Sequence, residues 1–325
     1  MSAGSANERT ADVSGRVLVV GSLNMDLTVR TERHPAPGET LAGSELVLAP
    51  GGKSANQAAA AGVLGADVVL LGAVGADGHG DMLLDAARQA SVDVSAVLRR
   101  EETSTGTAMI VVDAAGENTI VFSPGANGTL KPEDVRTELF DDAAVLCLCL
   151  EIPMDTVLAA ARTAAGTGTQ VLLNLSPYQS APDELLALTD VLLVNTHEAA
   201  QVLGRESLEG MGAGGPDTSG WEAVLAGFGR LGVPRAVVTL GADGAVVLDA
   251  TADVGSRIQP IAPTAVDVVD TTGSGDAFTA AIAQQLAEGA ALTDAAHVAA
   301  RAGAMAATRS GAQSSYAALR PPNGT

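Results

Sequence analysis

Arg16-Val-Leu-Val-Val-Gly21-Ser-Leu-Asn24-Met-Asp26 joins an unbroken apolar run to a small polar turn. A short run without polar alternation, closed by glycine, reads as a first strand buried on both faces. Asn24 and Asp26 then stand just beyond its carboxyl end. Asn and Asp there can be plain turn formers. In open α/β sheets the same place lines the ligand crevice. There a carboxylate and an amide can chelate adjacent hydroxyls of a sugar.

The pattern repeats along the chain. Apolar runs at 67–73, 144–150, 170–175, 191–194 and 236–240 read as strands. Helical periodicity follows at 53–64, 81–89, 154–165, 197–203, 221–231, 275–288 and 294–308. This alternation predicts an α/β fold: a Rossmann-like, mainly parallel central sheet covered by helices on both faces. Two segments break the rhythm. Residues 26–31 and 40–48 flank the turn His34-Pro-Ala-Pro-Gly38, and 105–112 and 118–122 flank Asp113-Ala-Ala-Gly-Glu117. The first reads as a hairpin with one wet face and the second as a hairpin, and together they are expected to form a small β lid. The expected organisation is a disordered lead-in at 1–15, a core of 16–25, 50–103 and 127–325, and a lid of 26–49 and 104–126. Residues 204–220 read as a Gly-rich surface loop without chemistry.

Composition bounds the partners. The chain has 325 residues, 47% hydrophobic but only 2% aromatic, so Ala, Val and Leu must build the core. Eighteen Lys and Arg stand against 38 Asp and Glu, a net charge of −20. That balance disfavours nucleic acid and anionic membranes as partners, and few aromatics disfavour base stacking. No run reaches membrane-spanning length, and residues 1–14 lack the apolar stretch of a signal peptide. Cys147 and Cys149, two apart on a strand, share a face and do not pair easily. They read as core residues of a reduced, cytoplasmic protein. The four histidines show no metal-ligand spacing.

The chemistry concentrates in Asp270-Thr-Thr-Gly273-Ser-Gly275-Asp276-Ala-Phe278. A small-residue loop opens a helix, whose free N–H groups and dipole attract an anion. Asp276 sits in the first turn beside that anion site. A base next to an anion hole of Gly273, Ser274 and Gly275 suits phosphoryl transfer to a hydroxyl. A capped turn is the bland reading. Phe278 stands where a dinucleotide fingerprint needs glycine, and the spacing of a nucleophile elbow is absent.

Four other segments carry polar groups at strand ends. Gly51-Gly52-Lys53-Ser54-Ala-Asn56-Gln57 opens a helix and resembles half a phosphate-binding loop, but Val47 replaces the first glycine of that motif. Lys53 is one of two lysines. Glu151 ends an otherwise apolar strand and is expected to face the crevice. Asn195 and Glu198 read either as a helix cap or as a magnesium site acting through water. Thr239-Leu-Gly241-Ala-Asp-Gly244 reads as a turn or as a phosphate-side loop.

Jointly and in this order, these segments resemble the ribokinase family of carbohydrate and nucleoside kinases over roughly residues 16–316. Ser123-Pro-Gly-Ala-Asn127 and Thr308-Arg309-Ser-Gly311-Ala-Gln313-Ser-Ser315 add to the likeness. The resemblance implies ATP-dependent phosphorylation of D-ribose at the 5-hydroxyl, with Asp276 as general base. It places Asn24, Asp26, Gly51, Gly52, Lys53, Asn56 and Glu151 on the sugar. It places Thr239, Gly241, Gly244, Gly275 and Asn195 on ATP, and Asn195 and Glu198 on Mg2+ through water. It surrounds an activating K+ with Asp270, Thr272, Ala306, Arg309, Gly311 and Ser315, and implies a homodimer through the lid. The alternatives are a kinase for a ketohexose, deoxyribose or adenosine, and a catalytically silent sugar-binding protein. Ser54 in place of the usual glycine, His197 before Glu198, and Asn174-Leu-Ser-Pro177 depart from the family pattern. Ser54 is expected near the sugar.

Overall fold

A computed structural model describes residues 15–208, 210–212 and 219–320. The expected lead-in, apart from residue 15, and part of the 204–220 loop lie outside the described residues.

The main sheet has nine strands. In spatial order they are Ile258–Ile261, Ala245–Asp249, Arg235–Thr239, Val191–Asn195, Gln170–Asn174, Ala143–Leu148, Arg16–Val20, Val68–Leu71 and Val92–Asp93. Seven run parallel, from Arg235–Thr239 to Val92–Asp93. Val17 and Val19 enter one core with Ala55, Ala58, Ala277, Ile282 and Ala299. Leu18 and Val20 enter the opposite core with Val157, Ala161, Val224 and Phe228. Period-two alternation along the unbroken apolar run Val17 to Val20 thus buries both faces. Helices Lys53–Val63, Ser274–Ala287 and Leu292–Ala306 cover the first face, and Met154–Thr167 and Ser219–Arg230 the second. Alanine dominates the helices of the first face, as the scarcity of aromatics demanded, and lets them approach closely.

The sheet is mainly parallel, as expected, and turns antiparallel at one edge. Ala245–Asp249 and Ile258–Ile261 pair antiparallel. Only the tight turn through Gly244 separates Arg235–Thr239 from Ala245–Asp249, too short for the crossover that a parallel partner requires.

The two predicted hairpins merge into one four-stranded sheet, ordered Val47–Gly51, Asn24–Arg30, Gly106–Val112 and Asn118–Ser123. Each hairpin is antiparallel, and they join through a parallel pairing of Asn24–Arg30 with Gly106–Val112. The returning arm of the first hairpin starts at Val47 rather than residue 40. The segment before it makes its own local contacts instead. Glu39 accepts from Ala36 N at 2.9 Å and pairs with Arg33, and only Ser44 reaches back to Arg30.

The strand order reverses between Arg16–Val20 and Ala143–Leu148. The chain builds outward from the first strand to Val92–Asp93, then returns to its other side. Crevices of open α/β sheets form at such a point.

Candidate active site

At the reversal, the loops leaving both strands are tied together. Ser22 Oγ donates to Glu151 Oε2 at 2.6 Å, and the same oxygen accepts from Lys53 N at 3.0 Å. Glu151 therefore faces the crevice, as its apolar strand suggested. Above it lies a cavity of about 640 Å³, walled by Asn24, Asp26, Gly52, Lys53, Asn56, Glu151, Gly273 and Asp276. The lid sheet closes one side through Ala108, Ile110, Ile120 and Phe122. Gly51 abuts Asp26, since a Cβ there would stand 2.2 Å from its carboxylate. Asn24 is oriented by Asn127, whose amide donates to its Oδ1 at 2.8 Å.

Four ionisable side chains converge on this cavity. Desolvation, then the charges of Glu151 and Asp276, raise Asp26 to about 7. Burial also raises Asp276, opposed by Lys53 and by the amides of Asn56 and Gln57. Burial works against the Lys53 ammonium, but Asp276 and Glu151 outweigh it and hold its pKa above the usual lysine value. Asn56 Nδ2 donates to Asp276 Oδ2 at 3.0 Å, and Gln57 Nε2 to Oδ1 at 3.1 Å.

The helix Ser274–Ala287 begins at Gly273, which has φ +76°. A Cβ at Gly273 would lie 2.8 Å from the Tyr316 hydroxyl, which donates to the Gly273 carbonyl at 3.1 Å. Only glycine fits this left-handed, closely packed position. Ser274 N donates back to Thr271 O. Gly275 and Asp276 are left as the first-turn N–H groups without an intrahelical acceptor. Among the described residues, Ser274 Oγ is buried without a hydrogen-bond partner.

A second cavity of about 380 Å³ lies beyond this helix end. Thr239, Gly241, Gly244, Thr271, Ser274 and Gly275 supply its polar side, and Pro263, Val266, Val268 and Ala304 an apolar slot. Asn195 and Glu198 are absent from both linings. They form a capping box: Asn195 Oδ1 accepts from Glu198 N at 2.8 Å, and Glu198 Oε2 from Asn195 N at 2.9 Å. Glu198 still contributes to the field on Lys53.

The tail folds back onto Asp270. Asp270 Oδ2 accepts from Gly311 N at 2.8 Å, and Oδ1 from Thr272 N and Oγ1 at 2.9 and 2.6 Å. Burial opposes ionisation of Asp270, but these donors hold its pKa below the usual aspartate value. Ala306, Arg309 and Ser315 lie on the adjoining turns, where Arg309 N reaches Ala306 O at 3.3 Å and Ser315 Oγ reaches Ala312 O at 2.7 Å.

Ser54 does not line the first cavity. It is fully buried, 3.0 Å from Cys149 Sγ and packed on Gly21. Gln57, Gln313 and Tyr316 stand around Asp276, and the sequence pattern did not mark them as site residues. Gln57 stands in the quoted Asn56-Gln57 pair, and Tyr316 is one of two tyrosines.

The sequence profile of the pfkB family of carbohydrate kinases matches residues 14–319. The chain belongs to that family. A ribokinase from Staphylococcus aureus is 32% identical over 96% of this chain and 99% of its own length. Among solved structures, the ribokinase of Thermotoga maritima superposes with a TM-score of 0.82 at 28% identity, covering 94% of this chain and 98% of the other. Arabidopsis thaliana ribokinase, solved with ribose and ATP, gives 0.82 at 30% identity, with 94% and 97% covered. For a pfkB carbohydrate kinase, a sugar-sized cavity and a second cavity either side of one helix end are the parts the chemistry needs.

Proposed function

We propose that the chain transfers the γ-phosphoryl group of ATP to the 5-hydroxyl of D-ribose, giving D-ribose 5-phosphate and ADP. One observation carries the reading. The helix end Gly273–Asp276 stands between the two cavities, with Asp276 on one side and Ser274 and Gly275 on the other. A phosphoryl group held in the second cavity would therefore move toward the first across a ready anion site.

Asn24, Asp26, Gly52, Lys53, Asn56 and Glu151 hold the sugar. Thr239, Gly241, Gly244 and Gly275 line the phosphates, and the slot of Pro263, Val266 and Val268 takes the base. Asp276 accepts the hydroxyl proton as the oxygen attacks phosphorus. The N–H groups of Gly275 and Asp276, the Ser274 hydroxyl and the Lys53 ammonium meet the charge that develops.

Asn195 and Glu198 are hard oxygen ligands whose shared capping box suits contact with Mg2+ through water rather than directly. The ionised Asp270, among the carbonyls of the 306–315 turns, fits a K+ ion. Mg2+ would neutralise phosphate charge, and K+ would stiffen the loop into Gly273. Exposed Leu46, Val47, Leu48, Val121 and Phe122 on the lid support a homodimer in which lids cover each other. None of the described helices is long and apolar enough to cross a membrane, and the two buried free thiols suit a cytoplasmic site.

A coupled ADP assay across ribose, 2-deoxyribose, fructose, tagatose and adenosine tests the reading. Ribose is expected to give the highest kcat/KM, and a tenfold advantage for a ketohexose or adenosine would overturn the ribose assignment.

A further inference from the structure

Asp276 is gripped by two side-chain amides, and each amide is itself gripped from behind. Asn56 and Gln57 donate to separate carboxylate oxygens at 3.0 and 3.1 Å. Gln313 Nε2 donates to Asn56 Oδ1 at 3.1 Å. Cys147 Sγ donates to Gln57 Oε1 at 3.3 Å. Gln57 and Cys147 are each 1% exposed, so water does not stand in for either partner.

A primary amide turned over exchanges donor for acceptor with almost no change in shape. A turned Gln57 would aim its oxygen at the Asp276 carboxylate. The donor behind it decides against that. Burial pushes the Cys147 thiol far up, so it stays S–H and offers a proton to Oε1. Gln313 offers Asn56 the same fixed choice. Each amide can then only donate to Asp276. A carboxylate oxygen has two lone pairs, so one amide proton on each leaves a second free to face the crevice.

We propose that Cys147, Gln57 and Gln313 are positioning residues for Asp276, the thiol and the Gln313 amide locking the two clamping amides as donors. The proposal rests on Asp276 being the base. The clamp favours the carboxylate over the carboxylic acid, since both amides present N–H. Loosening it should therefore slow turnover and move its acid limb to higher pH, while leaving the sugar and ATP contacts in place. Besides Cys147 itself, the other charged or titratable groups bearing on Asp276 are Lys53, Glu151, Asp26 and Tyr316, and none of these four is altered in the Cys147 and Gln313 variants below.

The decisive comparison is Cys147→Ser against Cys147→Val. Serine keeps a donor, whereas valine keeps the apolar volume and loses the donor. The expected result is a kcat at pH 7 about fivefold lower for Cys147→Val, with its acid limb raised by about half a pH unit. KM for sugar and ATP should move less than about twofold. Cys147→Ser should stay close to the parent in both. A packing role predicts the reverse order, because a hydroxyl in an apolar core is the worse replacement. Equal behaviour, or Val outperforming Ser, would overturn the proposal. Gln313→Met, at a half-exposed position that folding tolerates, should show the same kcat loss and limb shift if Cys147→Val fails to fold, and a parent-like profile there would overturn it too. Asp276→Asn separates the two readings. An active Asp276→Asn enzyme removes the base, whereas an inactive one beside a parent-like Cys147→Val removes only the clamp.

Discussion

Ser22 and Glu151 meet at 2.6 Å across the point where the sheet reverses its strand order, and the same carboxylate oxygen takes the first N–H of the Lys53–Val63 helix. One carboxylate thus joins the loops after two neighbouring parallel strands to the helix that carries Lys53 and Asn56. Glu151→Leu leaves two donors without their acceptor. It should lower unfolding free energy by about 1–3 kcal/mol, read from urea midpoints at unchanged slope.

Asp276→Asn keeps the shape of the base and removes its basicity. Turnover should fall by about 10²–10⁴-fold, with ribose and ATP binding retained in calorimetry. Retention of more than half the activity would remove Asp276 from the base role. The asparagine NH2 would also face one clamping amide, so a lowered Tm should accompany the loss.

Asp26 titrates near 7 because burial and the charges of Glu151 and Asp276 disfavour its anion. In the proposed sugar site the anion is the stronger acceptor for hydroxyls. KM for ribose should therefore rise as pH falls through about 7, and Asp26→Asn should abolish that dependence. The stability sign follows. The folded state holds this proton up to about 7, while the unfolded chain releases it near 4. Asp26 therefore destabilises the fold progressively as pH rises between those values, and fully above 7. Asp26→Asn should raise Tm more at pH 8 than at pH 4, and an equal rise at both would contradict the assignment.

Gly21 and Ser54 are a matched pair. A Cβ on Gly21 would fall 1.9 Å from Ser54 Oγ and 2.8 Å from its Cβ. Gly21→Ala alone should destabilise by about 1–3 kcal/mol through overpacking. Gly21→Ala with Ser54→Gly should recover much of that loss, since both clashing atoms are gone. A double mutant no better than the sum of the singles, by thermal unfolding, would show that they do not couple.

Potassium added at constant ionic strength against a bulky organic cation should raise kcat more than it lowers KM. An ion at Asp270 would preorganise the Gly273 turn without touching substrate. Asp270→Ala should abolish the response. A variant still activated by K+ would place the ion elsewhere.

Most of the architecture could be read in advance because parallel strands buried on both faces cannot disguise themselves. Val17 to Val20 are apolar without interruption, and all four proved buried. The antiparallel edge was not legible because the strand Ala245–Asp249 is only five residues long and follows directly on the glycine turn 241–244, with no helix between it and the strand before. Ser54 was expected near the sugar because it replaces the usual glycine of the Gly51-Gly52-Lys53 segment that the resemblance places there. One helical step of about 100° sends it to Gly21 and Cys149 instead. The contacts around Asp276 were harder still. Glutamine carries no compositional signal, and the partner of Gln57 lies 219 residues away.

Asn56 and Asp276 are 220 residues apart, and Asn56 and Gln313 are 257 apart. The surroundings of Asp276 therefore close only after Gln313 has been synthesised, long after the first strand and Lys53 have left the ribosome. Closures this distant are slow to form. Until they form, the Asp276 carboxylate has no partner to aim it. The two amides that aim Asp276 are thus in place only when both ends of the chain have met.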